Sequence, residues 1–321
     1  MFLEKEGKLI YSYDGETVCI EAWGKDALRV RATKNRSFTG RDWALEAKDA
    51  HAGEVEIFED PSAKGGAFAN MYEGTDTSYG KITNGKLHAV INSGSVITFY
   101  HEDGRVLLKE HFRRLRDEES MPLNIMGREY SNGVGDNFRI VARFVARKGE
   151  KIFGMGQYQQ HELDLKGCML ELAQRNSQVS VPFYLSSIGY GFLWNNPGVG
   201  QVMFANNGTE WVTESGKEID YLVIAGDTPA EIEENYMTLT GKPPMMPEYG
   251  MGFWQCKLRY WNQEQLLSVA RKYKELGVPL DVIVVDFFHW TKQGEFKFDP
   301  KYWPDVPGMC RELKEMGIQV V

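Results

Sequence analysis

The residues with the clearest chemical potential lie between Tyr249 and Trp303, where 13 of 55 positions are aromatic against 12% in the whole chain. Embedded among them is Asp286, which closes the apolar run VIVV and is followed by Phe287, Phe288, His289 and Trp290. A carboxylate ending such a run either stands at the exposed end of a strand or is unpaired in a core, and the second is expensive. Rings beside a carboxylate suit carbohydrate, because the apolar face of a pyranose stacks on aromatic rings while its hydroxyls need acceptors. Trp254 lies in a second strand candidate, MGFWQC, and Lys257 and Arg259 follow it; they would face the same mouth if both strands belonged to one parallel barrel sheet. The competing explanation is that these aromatics fill the seam between two layers. For His289 a packed histidine is the simpler reading.

Other chemistries lack their signatures. The chain has no GxxxxGK[ST] phosphate loop, no GxSxG elbow and no HExxH, and Gly154-Met155-Gly156 lacks the third glycine of a dinucleotide fingerprint. His51, His88, His101, His111, His161 and His289 share no ligand-like spacing, so no metal site is expected. Cys19, Cys168, Cys256 and Cys310 form no CxxC pair and read as reduced thiols. With 37 basic and 45 acidic side chains the net charge is -8, which attracts neither nucleic acid nor an anionic membrane. No run approaches the roughly 18 consecutive apolar residues of a spanning helix, and the first residues show no signal-peptide core. A soluble, cytoplasmic protein is expected, with homo-oligomerisation left open.

The elements that must position these residues change character near residue 227. Before it, short alternating runs such as Leu28, Val30 and Ala32 against Arg29 and Arg31, or Phe138, Ile140, Ala142 and Phe144, are separated by frequent turn signals. SVITFY and RVLLKE flank Asp103-Gly104, and VPFYLSS and YGFLWNN flank Ile188-Gly189, as hairpins do. Residues 1–227 therefore read as an N-terminal β-sandwich, with a long loop from Ala63 to Gly80. Residues 228–247 read as a helical connector: Thr228-Pro229-Ala230-Glu231 is a capping box with proline at the first helical position. Residues 248–321 read as βα units. A helix from about Gln263 to Leu276 is capped by Asn262 and stopped by Gly277, LDVIVVDFF is apolar on both faces like a buried parallel strand, and a helix with Met309, Leu313 and Met316 on one face stops at Gly317 before IQVV. A (β/α)8 TIM barrel takes about 250 residues. The expectation is thus an incomplete barrel, the opening part of a longer enzyme.

At the level of motifs the chain resembles glycoside hydrolase family 31, which includes α-glucosidases and α-xylosidases. The resemblance rests on GKPPMMPEYGMGFWQCKLRYWNQEQLL, GVPLDVIVVDFFHW and GEFKFDPKYWPDVPGMCRELKEMGIQVV, and upstream on FGMGQYQQHELDLKG, VPFYLSSIGYGFLWNNPGVG and AGDTPAEIEENY. FWQCKLRY and VVDFFHW are closer to the α-xylosidase branch than to glucosidases, whose second segment usually reads DIDYM.

The resemblance implies a retaining, exo-acting α-glycosidase that hydrolyses terminal α-linked sugars of oligosaccharides without metal or cofactor. Its nucleophile and general acid, both aspartates, are expected on later strands beyond Val321, so no catalytic residue is assigned within this chain. Asp286 matches the first aspartate of the DIDYM-type segment and would accept hydroxyls of the bound sugar. In Leu172-Ala173-Gln174-Arg175-Asn176, Asn176 stands where the family usually has an aspartate on a sandwich loop. Trp254, Lys257, Arg259, Phe287 and Trp290 would line the pocket. An α-glucosidase, or a noncatalytic carbohydrate-binding fragment or pseudoenzyme, remains the alternative.

Overall fold

The alternating runs of the first two thirds of the chain form antiparallel sheets in the computed structural model, which describes residues 1–46, 49–61, 77–111 and 126–321 and the backbone of the short strands Arg113–Leu115 and Leu123–Ile125. The chain divides into two units, Met1–Lys242 and Pro243–Val321.

In the first unit, a nine-stranded sheet runs in the order Phe2–Lys5, Lys8–Tyr13, Glu16–Trp23, Ala27–Thr33, Ile219–Ala225, Tyr190–Trp194, Val179–Ser186 and Ile152–Gln157, with Ala50–His51 paired beside Glu16–Trp23. One five-stranded sheet carries the strands from Glu54–Phe58 to Val106–Lys109, and another orders Arg128–Asn132, Phe138–Phe144, Thr209–Gly216, Gly200–Phe204 and Met169–Leu172. A single apolar cluster draws on all three sheets, including Leu28, Val30, Ile82, Phe99, Phe144, Phe192, Trp194, Trp211 and Tyr221. This is a β-sandwich. Both expected hairpins form, with Ser186 opposite Tyr190 and with Val106 opposite Tyr100. Of the loop expected from Ala63 to Gly80, residues 63–76 lie outside the described residues, while Tyr79 and Gly80 begin the strand Tyr79–Asn84, paired with Phe58 and Ile57.

The alternation at Leu28, Val30 and Ala32 turns these residues into the core, but Arg29 on the other face is 0% exposed. That face is covered as well. Helix α1, Pro229–Thr240, lays Ile232 and Leu239 against Trp23, Leu45, Leu193 and Leu222, and Tyr236 stacks on Phe183 at 3.8 Å. Its start follows the capping box: Glu231 N–H donates to Thr228 Oγ1 at 3.2 Å. On this face Arg29 Nε and Nη2 donate to the Asp220 carboxylate at 3.0 and 2.7 Å, Nη1 donates to Asp42 at 2.8 Å, and the guanidinium lies 4.6 Å from the Trp23 ring.

The second unit is built from two helices and three parallel strands. α2, Gln263–Glu275, is capped by Asn262, whose side chain accepts from Gln265 N–H, and α3, Val306–Glu315, is capped by Asp305. Gly277 and Gly317 take φ of +66° and +75° just past the helix ends, a left-handed conformation that glycine adopts without a Cβ penalty. Leu266, Leu267, Ala270, Met309, Leu313 and Trp303 pack with Ile283 and Val285 into one core. Strand, helix, parallel strand, helix and parallel strand follow each other, as in the opening of a (β/α)8 barrel.

Breaking the Arg29–Asp220 pair leaves a buried charge without its partner, which costs about 3–5 kcal/mol. Arg29→Met is therefore expected to lower the urea midpoint of the first unit markedly, and Arg29→Met with Asp220→Leu to recover much of the loss. An unchanged midpoint in the single variant would show that the pair contributes nothing.

Candidate functional site

Three strand ends build the site in the second unit. Trp254–Gln255, Val282–Ile283 and Gln319–Val320 lie side by side, with Trp254 opposite Val282 and Val282 opposite Gln319. Ladder bonds extend past these strands: Val284 N–H donates to Gln255 O at 2.9 Å and Val285 N–H to Val321 O at 2.8 Å. The expected strand LDVIVVDFF is therefore shorter than its apolar run. The chain leaves the sheet at Asp286, whose φ is +65°, and Phe288 is left-handed too at +67°. Aspartate tolerates that region; a bulky aromatic there is a genuine outlier.

Asp286 is half-buried just past the C-terminal end of its strand. Its Oδ1 accepts Phe287 N–H at 2.8 Å, and Cys256 Sγ, just past the end of the neighbouring strand, donates to its Oδ2 at 3.6 Å. Desolvation and, after it, the Asp286 carboxylate push the Cys256 thiol above its ordinary pKa. His289 Nδ1 lies 2.7 Å from the Asp286 carbonyl oxygen. Around them the rings of Phe287 and Phe288 are 4.0 Å apart, with Trp290 at 6.3 and 6.0 Å. The Arg259 guanidinium lies over two rings, 3.9 Å from Trp261 and 4.7 Å from Phe288.

Two hollows adjoin this cluster. One, of about 350 Å³, is lined by Arg259, Trp261, Asn262, Phe288, Trp290, Thr291, Gln293, Asp299 and Tyr302. The other, of about 490 Å³ and largely apolar, is lined by Asp286, Phe287, His289, Trp290 and Phe298 with side chains of all the later elements from Val284 to Val321. Of the residues singled out from sequence, Arg259 and Trp290 thus share one hollow, Asp286, Phe287 and Trp290 the other. Trp254 and Lys257 line neither: both are exposed, and Trp254 Nε1 donates to Gly250 O at 3.3 Å. Asn176 belongs to the first unit, exposed on a tight turn where Gln178 N–H donates to Arg175 O at 3.1 Å. Among the described residues no group of three or more His, Cys, Asp and Glu side chains is placed to hold a metal ion. Sequence reasoning did not assign Cys256, Trp261 or Phe288 to the pocket. The available signal for Cys256 was positional, since it leaves the first strand beside the one that ends in Asp286.

A β-sandwich followed by parallel βα units, with a carboxylate and rings at the strands' C-terminal ends, matches the layout of barrel proteins, whose sites lie at that face. Residues 17–202 match the glycosyl hydrolase 31 N-terminal galactose mutarotase-like domain, and residues 243–321 match the glycosyl hydrolases family 31 TIM-barrel domain. The chain belongs to glycoside hydrolase family 31. An uncharacterized family 31 glucosidase, ORF2, of Pseudescherichia vulneris is 41% identical over 99% of this chain and 59% of its own length. An α-xylosidase of Saccharolobus solfataricus is 36% identical over 57% of this chain and 26% of its own length. The crystal structure of a family 31 α-xylosidase from a soil metagenome, complexed with xylose, superposes with a TM-score of 0.85 at 44% identity, covering 100% of this chain and 46% of that one. The chain spans about half the length of such relatives.

The contact between sulfur and carboxylate makes a prediction. Alkylation proceeds through the thiolate, whose ordinary pKa is about 8.5. Asp286→Asn removes the negative neighbour, so the Cys256 pKa should fall and its iodoacetamide reaction at neutral pH should accelerate, followed on the Cys256 peptide by mass spectrometry. An unchanged rate would place the carboxylate away from the sulfur.

Proposed function

We propose that the whole protein is a retaining, exo-acting α-glycosidase that removes terminal α-linked xylose from oligosaccharides, with Asp286 as the acceptor for hydroxyls of the bound sugar. The observation that carries the reading is Asp286 itself: a half-buried carboxylate at a strand's C-terminal end, set among Phe287, Phe288 and Trp290. A charged acceptor binds two vicinal hydroxyls strongly enough to orient a ring, and orientation is where much of the rate of such enzymes originates. The preference for xylose is supported by the 44% identity to the xylose-bound α-xylosidase and by the crowding of rings around Asp286. Xylose carries no hydroxymethyl arm, so an apolar wall close to its ring leaves no hydroxyl unpaired.

The same chemistry on an α-glucoside is the second reading, favoured by the Pseudescherichia relative being named a glucosidase. In either case the reaction passes through a covalent glycosyl intermediate and needs two carboxylates. By its resemblance the family holds both on later barrel strands. Trp254, Lys257 and Arg259 belong, on this reading, to the rim of the pocket. The cytoplasm is the proposed compartment.

Two outcomes test this. In the whole protein, Asp286→Ala should lower kcat/KM for an aryl α-xyloside by several kcal/mol, tenfold for each ~1.4 kcal/mol, with folding preserved. Comparing kcat/KM for matched aryl α-xyloside and α-glucoside decides between the two sugars. Residues 1–321 alone should release no aglycone from either. Unchanged kinetics in Asp286→Ala would remove this residue from the sugar site, and turnover by the 321-residue chain would place the reacting carboxylates within it.

A further inference from the structure

We propose that His289 is a positioning residue that holds the Asp286 carboxylate on aim through the backbone. The inference rests on the reading of Asp286 as the acceptor for sugar hydroxyls and adds to it the group that fixes the acceptor's direction.

A carbonyl oxygen accepts and never donates, so the 2.7 Å contact between His289 Nδ1 and Asp286 O requires the proton on Nδ1. The ring is itself held. It lies 4.7 Å from the Phe298 ring and 5.0 Å from Trp290, and the His289 carbonyl accepts Asp299 N–H at 2.8 Å. The donated bond therefore runs from a fixed imidazole to the first residue of a four-residue excursion, Asp286-Phe287-Phe288-His289. Two of its residues, Asp286 at +65° and Phe288 at +67°, occupy a backbone region that side chains with a Cβ avoid. Such a conformation persists only where its surroundings over-determine it.

The bond from His289 reaches the backbone carbonyl, not the carboxylate. Among the described residues the carboxylate itself accepts from Phe287 N–H, which belongs to the same excursion, and from the weak thiol donor of Cys256. The direction of the carboxylate is thus set by the Asp286 backbone, and the bond from His289 is what ties that backbone to the packed rings. When it is lost, the excursion relaxes toward ordinary φ values and swings the carboxylate. A shift of about 1 Å at such a group costs on the order of 100-fold in rate.

Two amides of similar size separate this role from a general packing role. In His289→Asn the amide nitrogen stands on Cγ as Nδ1 does and can donate to the same carbonyl. In His289→Gln the amide is one carbon further out and cannot reproduce that bond. In the whole protein, His289→Asn is expected to keep kcat/KM for an aryl α-xyloside within about threefold of the parent, and His289→Gln to lose at least about tenfold with KM and the inhibition constant of free xylose both raised. Fewer folded molecules would depress kcat and leave KM alone, so the rise in KM marks lost aim. Combining Asp286→Ala with His289→Gln should cost no more than Asp286→Ala alone, because His289 acts through that carboxylate. Equal behaviour of the Asn and Gln variants, an unchanged KM in His289→Gln, or additive losses in the double variant would each overturn the proposal. If Asp286→Ala itself leaves kcat and KM untouched, the sugar-site reading fails first and the positioning role falls with it; if Asp286→Ala is crippled and His289→Gln is normal, the positioning role alone fails.

Discussion

One guanidinium joins the three sheets of the sandwich, and their mutual register depends on it. Arg128 Nε and Nη2 donate to Glu16 at 3.0 Å each, Nη2 also reaches Ser95 O and Oγ at 2.7 Å, and Nη1 pairs with Glu110. Glu16 lies in the nine-stranded sheet, Ser95 and Glu110 flank the strands Ile97–His101 and Val106–Lys109 of one five-stranded sheet, and Arg128 opens the other. The carboxylates are further bonded: Glu16 accepts Tyr130 Oη–H at 2.8 Å, and Glu110 accepts Ile97 N–H at 2.9 Å and Tyr221 Oη–H at 3.3 Å. Burial raises the pKa of Glu110 even against the attraction of Arg128. Such a node is weak evidence for net stability, since apolar side chains of equal volume would do as well. What it supplies is discrimination. A slip of one residue in any contributing strand turns its side chain to the opposite face and strands a buried charge, so the one register that satisfies every donor is strongly preferred.

The second unit is governed by a different constraint. Parallel strands covered by helices are apolar on both faces, so polar chemistry has to wait until the chain leaves the sheet. Val282, Ile283 and Val285 are buried, and the first polar side chain after them, Asp286, appears at the residue where the backbone turns left-handed. Beside it, Cys256 follows Gln255 at the end of the neighbouring strand and reaches the same carboxylate. Position along a strand and chemical role are therefore one fact: the sheet sets where side chains emerge, and the excursion sets where they point.

These two constraints explain what was legible in the sequence. Caps and stops depend on neighbours within a few residues, so Thr228, Asn262, Gly277 and Gly317 were readable, as was the apolar face formed by Met309 and Leu313. Parallel order followed from alternation of strands with helices. Features that depend on distant partners were not readable. Arg29 reads as the solvent side of an alternating strand, yet it is buried on a partner 191 residues away, Asp220, and is further bonded to Asp42 and the Arg41 carbonyl. The early end of LDVIVVDFF was hidden because residue type does not reveal a left-handed φ at Asp286 or Phe288. Asp286 was found because it interrupts an apolar run, whereas Cys256 and Phe288 look like ordinary apolar residues until the strands are aligned.

The electrostatics of the site narrow the ligand further. The Arg259 guanidinium lies over the rings of Trp261 and Phe288, at 3.9 and 4.7 Å. A guanidinium stacked on rings keeps its in-plane N–H groups for donation to acceptors of a ligand. The Asp286 carboxylate, to which no cation is bonded among the described residues, disfavours an anionic ligand. A ligand that is neutral, offers both donors and acceptors, and carries an apolar face for the rings meets all three conditions at once. These are the conditions under which the sugar proposed above would be held, through its hydroxyls and its apolar ring face.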